Sequence, residues 1–332
     1  MHAAAINLRG GVSPRSTRLR GQSIIEYVLI IAVIGLVIVF AGPGVAGAIR
    51  NQFNLVGNTV NSGTTGGVEG GGAFGGGSTG ADSATVQVAI AKDAKDWTLD
   101  EQKAVAEDIA AKGEASPAYA KAKAAMDSGT EFSMNLTGGF SLTYRIIGIN
   151  HDDLADGSGK AGLTFLTTST GISSPMNATM SGVGGWEKSE LRAKMNSGEI
   201  WNLMPSDFQS KVKAVRKLTN NTGRSTKDAA VTATSDRLFL LSHSEIVPSS
   251  NWASIYPWIS SEGTQYEAFR GKVTENCDPF STTAIGKGWW EQSMYPRGSM
   301  NAVDFLVVYN NGNLTEHSGA QWPLCVCPAW CF

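Results

Sequence analysis

This sequence of 332 residues has few cysteines and little charge imbalance, and each shortage excludes a class of protein. Its formal net charge is only −2. Proteins that bind nucleic acid carry a concentrated basic face, so the sequence predicts no nucleic-acid partner. None of its four cysteines lies near the apolar run at residues 24–41, which excludes a lipoprotein anchor.

The four cysteines all lie in the last fifth of the chain, and they are disulfide candidates: Cys277, Cys325, Cys327 and Cys331. Disulfides persist outside the cell, and four cysteines allow three pairings, among which the sequence does not choose. Paired zinc ligands usually have about two to four residues between them, and a histidine pair often completes the site. Only one residue separates Cys325 from Cys327, and no histidine pair lies nearby, so we predict no metal there.

The N-terminal 50 residues combine a basic leader with an apolar run. No acidic residue precedes Glu26, and the leader contains four arginines: Arg9, Arg15, Arg18 and Arg20. The run at 24–41 is at the lower limit of about 17–25 residues for a membrane-spanning helix, and a basic leader stays cytoplasmic. A charge within such a run costs about 2.5–3.5 kcal/mol at the bilayer centre, so Glu26 is expected to have a function.

The spacing of Gly21, Gln22, Glu26 and Tyr27 resembles the prepilin leader of type IV pilins, most closely the tight-adherence (Tad, Flp) class, over residues 18–50. The resemblance implies cleavage by a prepilin peptidase between Gly21 and Gln22. Glu26 and Tyr27 would then be the fifth and sixth mature residues. It also implies that Glu26 pairs with the N-terminal amine of an adjacent subunit, whose methylation stays open. An uncleaved membrane anchor with a chance Glu-Tyr pair is the alternative.

The composition and the resemblance to prepilins together imply four segments. They are a leader at 1–21, a long pilin-type transmembrane helix at 22–61, a glycine-rich linker at 62–81 and an α+β surface head at 82–332. Half of the linker is glycine. Such a chain is flexible, with a root-mean-square span of roughly 25 Å, and it would separate the head from a filament core.

The head is predicted to have early helices and late antiparallel strands. Two capping boxes, Thr98 with Glu101 and Ser242 with Glu245, mark helix starts. Helices are expected at 98–112, 117–127, 186–196 and 206–215. Strands are expected at 84–91, 131–136, 140–149, 163–168, 237–241, 289–292, 303–309, 313–316 and 324–327, with a hairpin turn at 310–312. Adjacent Trp289 and Trp290 should lie on opposite faces of their strand, one of them outside the core.

The segment 151–162 is rich in aspartate and glycine. Its acids, from Asp152 to Asp156, could line a calcium loop, but their spacing does not fit the EF-hand pattern. Clusters of this composition are usually plain turns. Whether this loop binds calcium stays open.

Four stretches of the head resemble an uncharacterised domain of bacterial surface proteins over residues 130–332. They are Gly185-Trp-Glu-Lys-Ser-Glu-Leu-Arg192, Arg237-Leu-Phe-Leu-Leu-Ser-His-Ser-Glu245, Trp289-Trp290 and Val326-Cys-Pro-Ala-Trp330. That domain is distantly similar to the formylglycine-generating-enzyme branch of the C-type lectin fold, which implies a C-type-lectin-like head. The enzyme's redox cysteine arrangement and the lectin motifs Glu-Pro-Asn and Trp-Asn-Asp are absent. We therefore predict no enzymatic activity, no cofactor and no metal.

A binding face is predicted between Glu291 and Gln321, where tyrosine, arginine and short polar residues are mixed. Its expected members are Tyr295, Arg297, Asn301, Asp304, Tyr309, Asn310 and His317. Tyr295, Arg297 and Tyr309 are its expected anchors, and a solvated loop face is the alternative.

These features together predict a pilin-like filament subunit that displays a ligand-binding adhesin head on the bacterial surface. The alternative is a structural pilin, or a minor pseudopilin of a secretion system, with no ligand of its own. The expected partners are the prepilin peptidase, other pilin subunits and a glycan or protein on a host or another cell. The chain is expected as a single-pass protein of the cell membrane before assembly, and then in an extracellular filament. The identity of the ligand stays open.

Overall fold

The computed structural model describes the chain in six stretches: 83–169, 171–221, 229–247, 250–273, 287–296 and 303–332. The chain divides into two units, Met1–Glu69 and Gly70–Phe332, and every described residue lies in the second. The predicted leader, the helix at 22–61 and the linker at 62–81 lie outside the described residues. So do Gly21, Gln22, Glu26 and Tyr27, and also Cys277.

The fold prediction included a helix that crosses a membrane, and in this respect it is wrong. In the part of the chain that the structure describes, no helix is long and apolar enough for that role. The longest of them, Leu99–Lys112, has 14 residues, and six of its side chains are acidic or basic. A membrane span needs about 20 predominantly apolar residues. The mixture of helices and sheets expected for the head is compatible with the structure.

Ten α-helices occur among the described residues, most of them short. They are α1 (Ser83–Ala91), α2 (Leu99–Lys112), α3 (Tyr119–Ser128), α4 (Gly185–Lys188), α5 (Glu190–Asn196), α6 (Glu199–Leu203), α7 (Ser206–Gln209), α8 (His243–Ile246), α9 (Asn251–Ile255) and α10 (Pro257–Ser260). Both predicted capping boxes are confirmed, at Thr98 before α2 and at Ser242 before α8. Each satisfies backbone N–H groups that the first turn leaves without partners.

The strand predicted at 84–91 is wrong, because this segment forms α1. Val86 and Ala89 are buried, and Ile90 packs against the same core. Apolar positions three and four residues apart indicate a helix, and alanine has the highest helix propensity. The alternation of small and polar residues concealed this spacing.

The eleven described strands form three sheets. They are β1 (Glu131–Asn135), β2 (Ser141–Ile149), β3 (Leu163–Thr167), β4 (Ser173–Ser174), β5 (Val215–Asn220), β6 (Val231–Asp236), β7 (Trp289–Met294), β8 (Asp304–Val308), β9 (Glu316–Gly319), β10 (Leu324–Cys325) and β11 (Ala329–Cys331). The sheet orders are β1-β2-β3-β11, β4-β10-β7-β8-β9 and β5-β6. All pairs are antiparallel except β10 with β7.

The C-terminal strand β11 organises the core. It pairs with β3, and an isolated bridge joins its Ala329 to Phe239. The Trp330 ring contacts Tyr144 at 4.8 Å, Phe208 at 5.1 Å and Phe165 at 5.9 Å between centroids. Aromatic pairs at these distances contribute about 0.5–1.5 kcal/mol beyond their burial. The last residues of the chain therefore join elements that are distant in sequence.

Several predicted elements differ from the structure at their boundaries. The helix expected at 186–196 is two helices, because Ser189 ends α4 and its hydroxyl caps α5 by accepting from the Arg192 N–H. The helix expected at 206–215 stops at Gln209, and Val215 already begins β5. Residues 237–241 form no named strand, since Phe239 has only the single bridge to Ala329.

Trp289 and Trp290 are both buried, so the prediction that one lies outside the core is wrong. Strand β7 lies between β10 and β8, and all six of its residues are buried. The Trp290 indole N–H donates to the Ser174 carbonyl at 2.9 Å. A strand covered on both faces hides both members of an adjacent pair.

Candidate recognition face

The edge of the five-stranded sheet brings together three of the predicted binding residues. Tyr295 directly follows β7, and its N–H donates to the Asp304 carbonyl at 3.0 Å. In the β8–β9 pair, Asp304 is opposite Gly319 and Leu306 is opposite His317. Alternate residues of a strand share a face, so Asp304 and His317 lie on the same face of this edge.

Their side chains form a continuous stack. The Tyr295 and His317 rings are parallel, with centroids 3.8 Å apart and planes at 20°. Tyr295 also meets Trp252 edge to face, with centroids 5.2 Å apart. His317 Nδ1 lies 3.2 Å from Asp304 Oδ2. The imidazole is therefore held in one orientation by a ring beneath it and a carboxylate beside it.

Trp322 lies beside Gly319 of the strand that carries His317, and the sequence prediction did not include it. A Cβ placed on Gly319 would lie 3.2 Å from Trp322 Cδ1 and 3.6 Å from Asp304 Oδ1. The indole therefore lies directly over β9, next to the carboxylate, in space that a side chain at position 319 would occupy. The backbone N–H of Trp322 donates to the Gly319 carbonyl at 3.0 Å, which closes the turn.

We call Tyr295, Asp304, His317 and Trp322 the aromatic face. Its outer members are accessible, since Trp322 is 58% exposed and the His317 side chain is 38% exposed. Buried Phe305 and the rest of β8 support it from below. An exposed indole beside an imidazole and a carboxylate offers a flat apolar surface with a hydrogen-bond donor and acceptors. Trp and Tyr in such settings are enriched at binding hot spots.

Other predicted binding residues lie elsewhere. Tyr309 and Asn310 follow the end of β8 opposite to Asp304, about 16 Å along the strand at 3.3 Å per residue, and Tyr309 is 49% exposed. The turn predicted at 310–312 is confirmed, with the Gly312 N–H donating to the Tyr309 carbonyl at 2.9 Å. Arg297 and Asn301 lie outside the described residues.

The predicted boundary of the face at Glu291 is wrong. Glu291 and Gln292 belong to β7 and are fully buried. Glu291 Oε2 lies 3.0 Å from Nδ1 of His243, which is equally buried. These polar side chains therefore contribute to the interior and not to a surface.

Trp322 had a signal in the sequence. The segment Gly319-Ala-Gln-Trp-Pro323 places glycine and proline around a tryptophan. Glycine and proline mark tight turns, and large aromatics in turns are usually accessible on at least one side. The predicted anchors of the binding face are instead tyrosine and arginine, because these residues are commoner on adaptable surfaces.

The aspartate-rich segment 151–162 is a turn in the structure. Asp156 Oδ1 accepts the Ser158 N–H at 2.9 Å, and Asp153 lies 3.1 Å from Lys160. Asp152 points inward and is buried. Within the described stretches, no group of three or more His, Cys, Asp or Glu residues is arranged to hold a metal ion.

The three described cysteines, Cys325, Cys327 and Cys331, are buried free thiols, so no disulfide joins any two of them. Burial raises the pKa of all three thiols. A thiol of this kind is a poor nucleophile and a poor metal ligand, because both roles require the thiolate.

A cleft of about 410 Å³ lies between α3, the end of β2 and residues 267–270. Its lining residues are Tyr119, Lys123, Met126, Asp127, Ile149, Glu267 and Arg270. Its charges already pair with one another, Lys123 with Asp127 at 2.5 Å and Arg270 with Glu267 at 3.6 Å. A ligand would have to displace these pairs, so the aromatic face is the stronger candidate.

Comparison with known proteins gives one match, to a domain family. No curated protein and no solved structure is similar enough to this chain to be matched. Residues 161–331, which include the aromatic face and β11, match the family described as Domain of unknown function (DUF6273). The match covers more than half of the chain, and the protein belongs to this family of uncharacterised domains.

Proposed function

We propose that this chain is a pilin-like filament subunit whose head binds a glycan or a protein on another cell. The observation that carries the recognition part is the aromatic face. Trp322 is exposed over Gly319, and His317 is fixed between Tyr295 and Asp304. A pre-organised surface binds without the cost of ordering its side chains, about 0.5–1.5 kcal/mol for each.

The filament part of the proposal is supported by the N-terminal sequence. A basic leader, Gly21-Gln22 and the pair Glu26-Tyr27 match the spacing of prepilins that a peptidase cleaves. The glycine-rich segment 62–81 would let a head reach away from a filament. The partners in this proposal are the prepilin peptidase and other pilin subunits, and the site of action is outside the cell.

Binding by whole filaments tests the recognition part. Filaments sheared from cells that produce the full chain are applied to a printed glycan panel and to immobilised host matrix proteins. The double variant His317→Ala/Trp322→Ala should lose binding by at least about 30-fold, because truncating a hot spot costs about 2 kcal/mol or more. The matched control is Tyr309→Ala/Asn310→Ala, at the opposite end of β8, which should bind like the wild type.

The outcomes separate the two parts of the proposal. Filaments that contain the chain but bind nothing on either panel would support the alternative, a structural pilin or minor pseudopilin. Equal loss of binding in the control variant would place the contact surface at the far end of β8. Absence of the chain from sheared filaments would contradict the filament part, whatever the head binds.

Mass spectrometry of the mature N-terminus tests the cleavage. The expected first residue is Gln22, and the same spectrum shows whether its amine is methylated. A Gly21→Ala variant should keep Met1, or the residue after it, at its N-terminus. A wild-type chain that keeps the leader, or is cut elsewhere, would contradict the prepilin assignment.

A further inference from the structure

The amine of Lys217 is enclosed in the interior by two carboxyl groups. It lies 2.9 Å from Asp152 Oδ1 and also contacts Glu245 Oε1. All three side chains are at most 4% exposed. The Tyr266 hydroxyl is 3.1 Å from the amine, and the Phe239 ring centroid is 4.3 Å from it. This cluster therefore combines a nucleophile, a carboxyl electrophile and a second carboxyl in a dry aromatic pocket.

Neutral donors hold the carboxyl group of Asp152. The Thr164 hydroxyl donates to Oδ2 at 2.6 Å, and the Tyr266 hydroxyl lies 3.0 and 2.9 Å from Oδ1 and Oδ2. Burial, with the nearby negative charges, raises the pKa of Tyr266 well above its usual value, so this hydroxyl remains a donor. Fixed donors at a carboxyl oxygen stabilise the negative charge that develops when a nucleophile adds to the carbon.

Glu245 is positioned by the backbone around it. Its Oε2 accepts the Ser242 N–H at 2.9 Å in the capping box. Gly263 lies against the side chain, since a Cβ there would be 2.5 Å from Glu245 Cγ. Burial raises the pKa of Glu245 above its ordinary value. Of the two carboxyl groups that contact the amine, Glu245 is therefore the better proton acceptor.

We infer that Lys217 and Asp152 form an intramolecular amide bond, with Glu245 as the proton-transfer group. Glu245 takes a proton from the Lys217 ammonium, and the neutral amine attacks Asp152 Cγ. Glu245 returns its proton to the tetrahedral adduct. One carboxyl oxygen then leaves as water, together with two of the three protons that the ammonium carried. One N–H remains on the new amide. Ammonium and carboxylate thus become an amide and one water molecule, and no oxidant or further reactant is required.

The two charged groups form an ion pair before any reaction. Burial opposes ionisation, but Lys217 lowers the pKa of Asp152 to about 2, and Asp152 and Glu245 raise the pKa of Lys217. Each buried ion still has a desolvation penalty of several kcal/mol, so Glu245 has to take the proton of the ammonium before the amine can attack. Forming the amide removes both charges. Holding two reacting groups together removes much of the entropic cost of their reaction, and the amine is held by a hydrogen bond of 2.9 Å to Asp152 Oδ1.

The bond would connect two separate parts of the fold. Asp152 follows β2 of the four-stranded sheet, and Lys217 is in the centre of β5 in the two-stranded sheet, 65 positions further along. The covalent link would keep these sheets together when the chain is pulled or partly unfolded. Such a link suits a domain exposed to force and proteases.

Peptide mapping of the full-length chain tests the inference directly. After denaturation and proteolysis, the peptides that contain Asp152 and Lys217 should appear as one linked species, lighter than their sum by one water molecule. The exposed pair Lys123 and Asp127, 2.5 Å apart in α3, is the internal control and should give unlinked peptides. Separate peptides at both places would overturn the inference and leave Lys217 in an ion pair only.

Two variants test the chemistry. Asp152→Asn should form the same link with loss of ammonia instead of water, because the leaving group is then the amide nitrogen. Glu245→Gln keeps both reacting residues but cannot take the proton, so the linked species should fall at least tenfold, with circular dichroism reporting the fold. A Glu245→Gln chain linked to the wild-type extent would exclude Glu245 from the reaction. The wild-type map decides the bond itself, even if a variant fails to fold.

Discussion

The aromatic face and the buried group of Lys217, Asp152 and Glu245, here called the Lys217 cluster, combine similar side chains in opposite environments. On the surface, His317 is stacked on Tyr295 beside the Asp304 carboxylate. In the interior, Lys217 lies over Phe239 beside the Asp152 carboxylate. Each has a nitrogen base, an aromatic ring and an acid. They differ in access to water, since the His317 side chain is 38% exposed and that of Lys217 is 2% exposed.

Water decides what each arrangement can do. Exposed charge pairs contribute about 0–1 kcal/mol to stability, so His317 and Trp322, the exposed members of the aromatic face, are dispensable for folding and available to a partner. A buried charge that loses its partner costs several times more, so the Lys217 cluster is committed to the fold. The following variants test this division, from the largest expected effect to the smallest.

Replacing Lys217 should give the largest effect. Lys217→Met removes the inferred amide link and leaves Asp152 and Glu245 without the amine that they contact. Loss of one member of a buried pair costs about 3–5 kcal/mol, and loss of the link would add to this cost. Denaturant unfolding of the wild type and the variant measures it. The matched control is Lys123→Met, whose partner Asp127 is also on the surface, and its midpoint should not change. Equal midpoints for Lys217→Met and wild type would show that the cluster does not stabilise the fold.

Glu262 should make stability depend on pH. Burial is the main reason that its pKa is raised from 4.5 to about 7. Its carboxyl accepts from the Thr219 hydroxyl at 2.9 Å and the Asn220 N–H at 2.8 Å, and it contacts Ser293. A raised folded-state pKa means that the folded chain keeps a proton which the unfolded chain releases. The contribution is therefore complete below 4.5 and is lost as pH rises through about 7.

This difference corresponds to roughly 3 kcal/mol, at 1.36 kcal/mol per unit of pKa. Unfolding free energies measured between about pH 5 and about pH 8 should fall with rising pH by an amount of this order. Glu262→Gln keeps a neutral hydrogen-bonding group and should flatten this dependence. The same slope in the variant would assign the titration to another group.

The sequence predicted a feature where its interactions are between residues close together in the chain, and failed where they are between distant ones. The capping boxes at Thr98 and Ser242 were predictable, because all their partners lie within three residues. The α1 segment was misassigned, since its helical spacing depends on which of Val86, Ala89 and Ile90 meet the core. Local sequence does not contain that information.

The two clusters were predictable to different degrees, for a related reason. Lys217, Asp152 and Glu245 come from three separate elements, and only the tertiary fold places them together. The aromatic face was half predicted. Tyr295, Asp304 and His317 lie near the ends of paired strands, whereas Tyr309 was included without knowledge of the register that places it at the opposite end of β8.

Moving the Trp322 indole, without removing it, should weaken binding. Gly319→Val would put a branched side chain where even a Cβ is 3.2 Å from Trp322 Cδ1. We expect filaments with this variant to lose most of the binding that Trp322→Ala loses, about 2 kcal/mol for a hot spot. The head's midpoint of unfolding is the control and should change little, because β9 is an edge strand. Wild-type affinity in Gly319→Val would show that the position of the indole is unimportant.

The smallest effect is expected at Tyr309, which looks equivalent to Trp322 by exposure alone. Tyr309 is 49% exposed, and Trp322 is 58% exposed. Tyr309 follows the opposite end of β8 from Asp304, however, where the neighbouring Asn310 and Asn311 are exposed turn residues. It lies away from the stacked rings of Tyr295 and His317, whereas Trp322 lies beside Gly319 of the strand that carries His317. Tyr309→Ala should change both stability and binding by less than about 0.5 kcal/mol, the usual range for surface substitutions. Unfolding midpoints and filament binding measure the two quantities. A loss of binding as large as that of Trp322→Ala would mean that exposure, and not the pre-organised stack, selects the contact residues of this head.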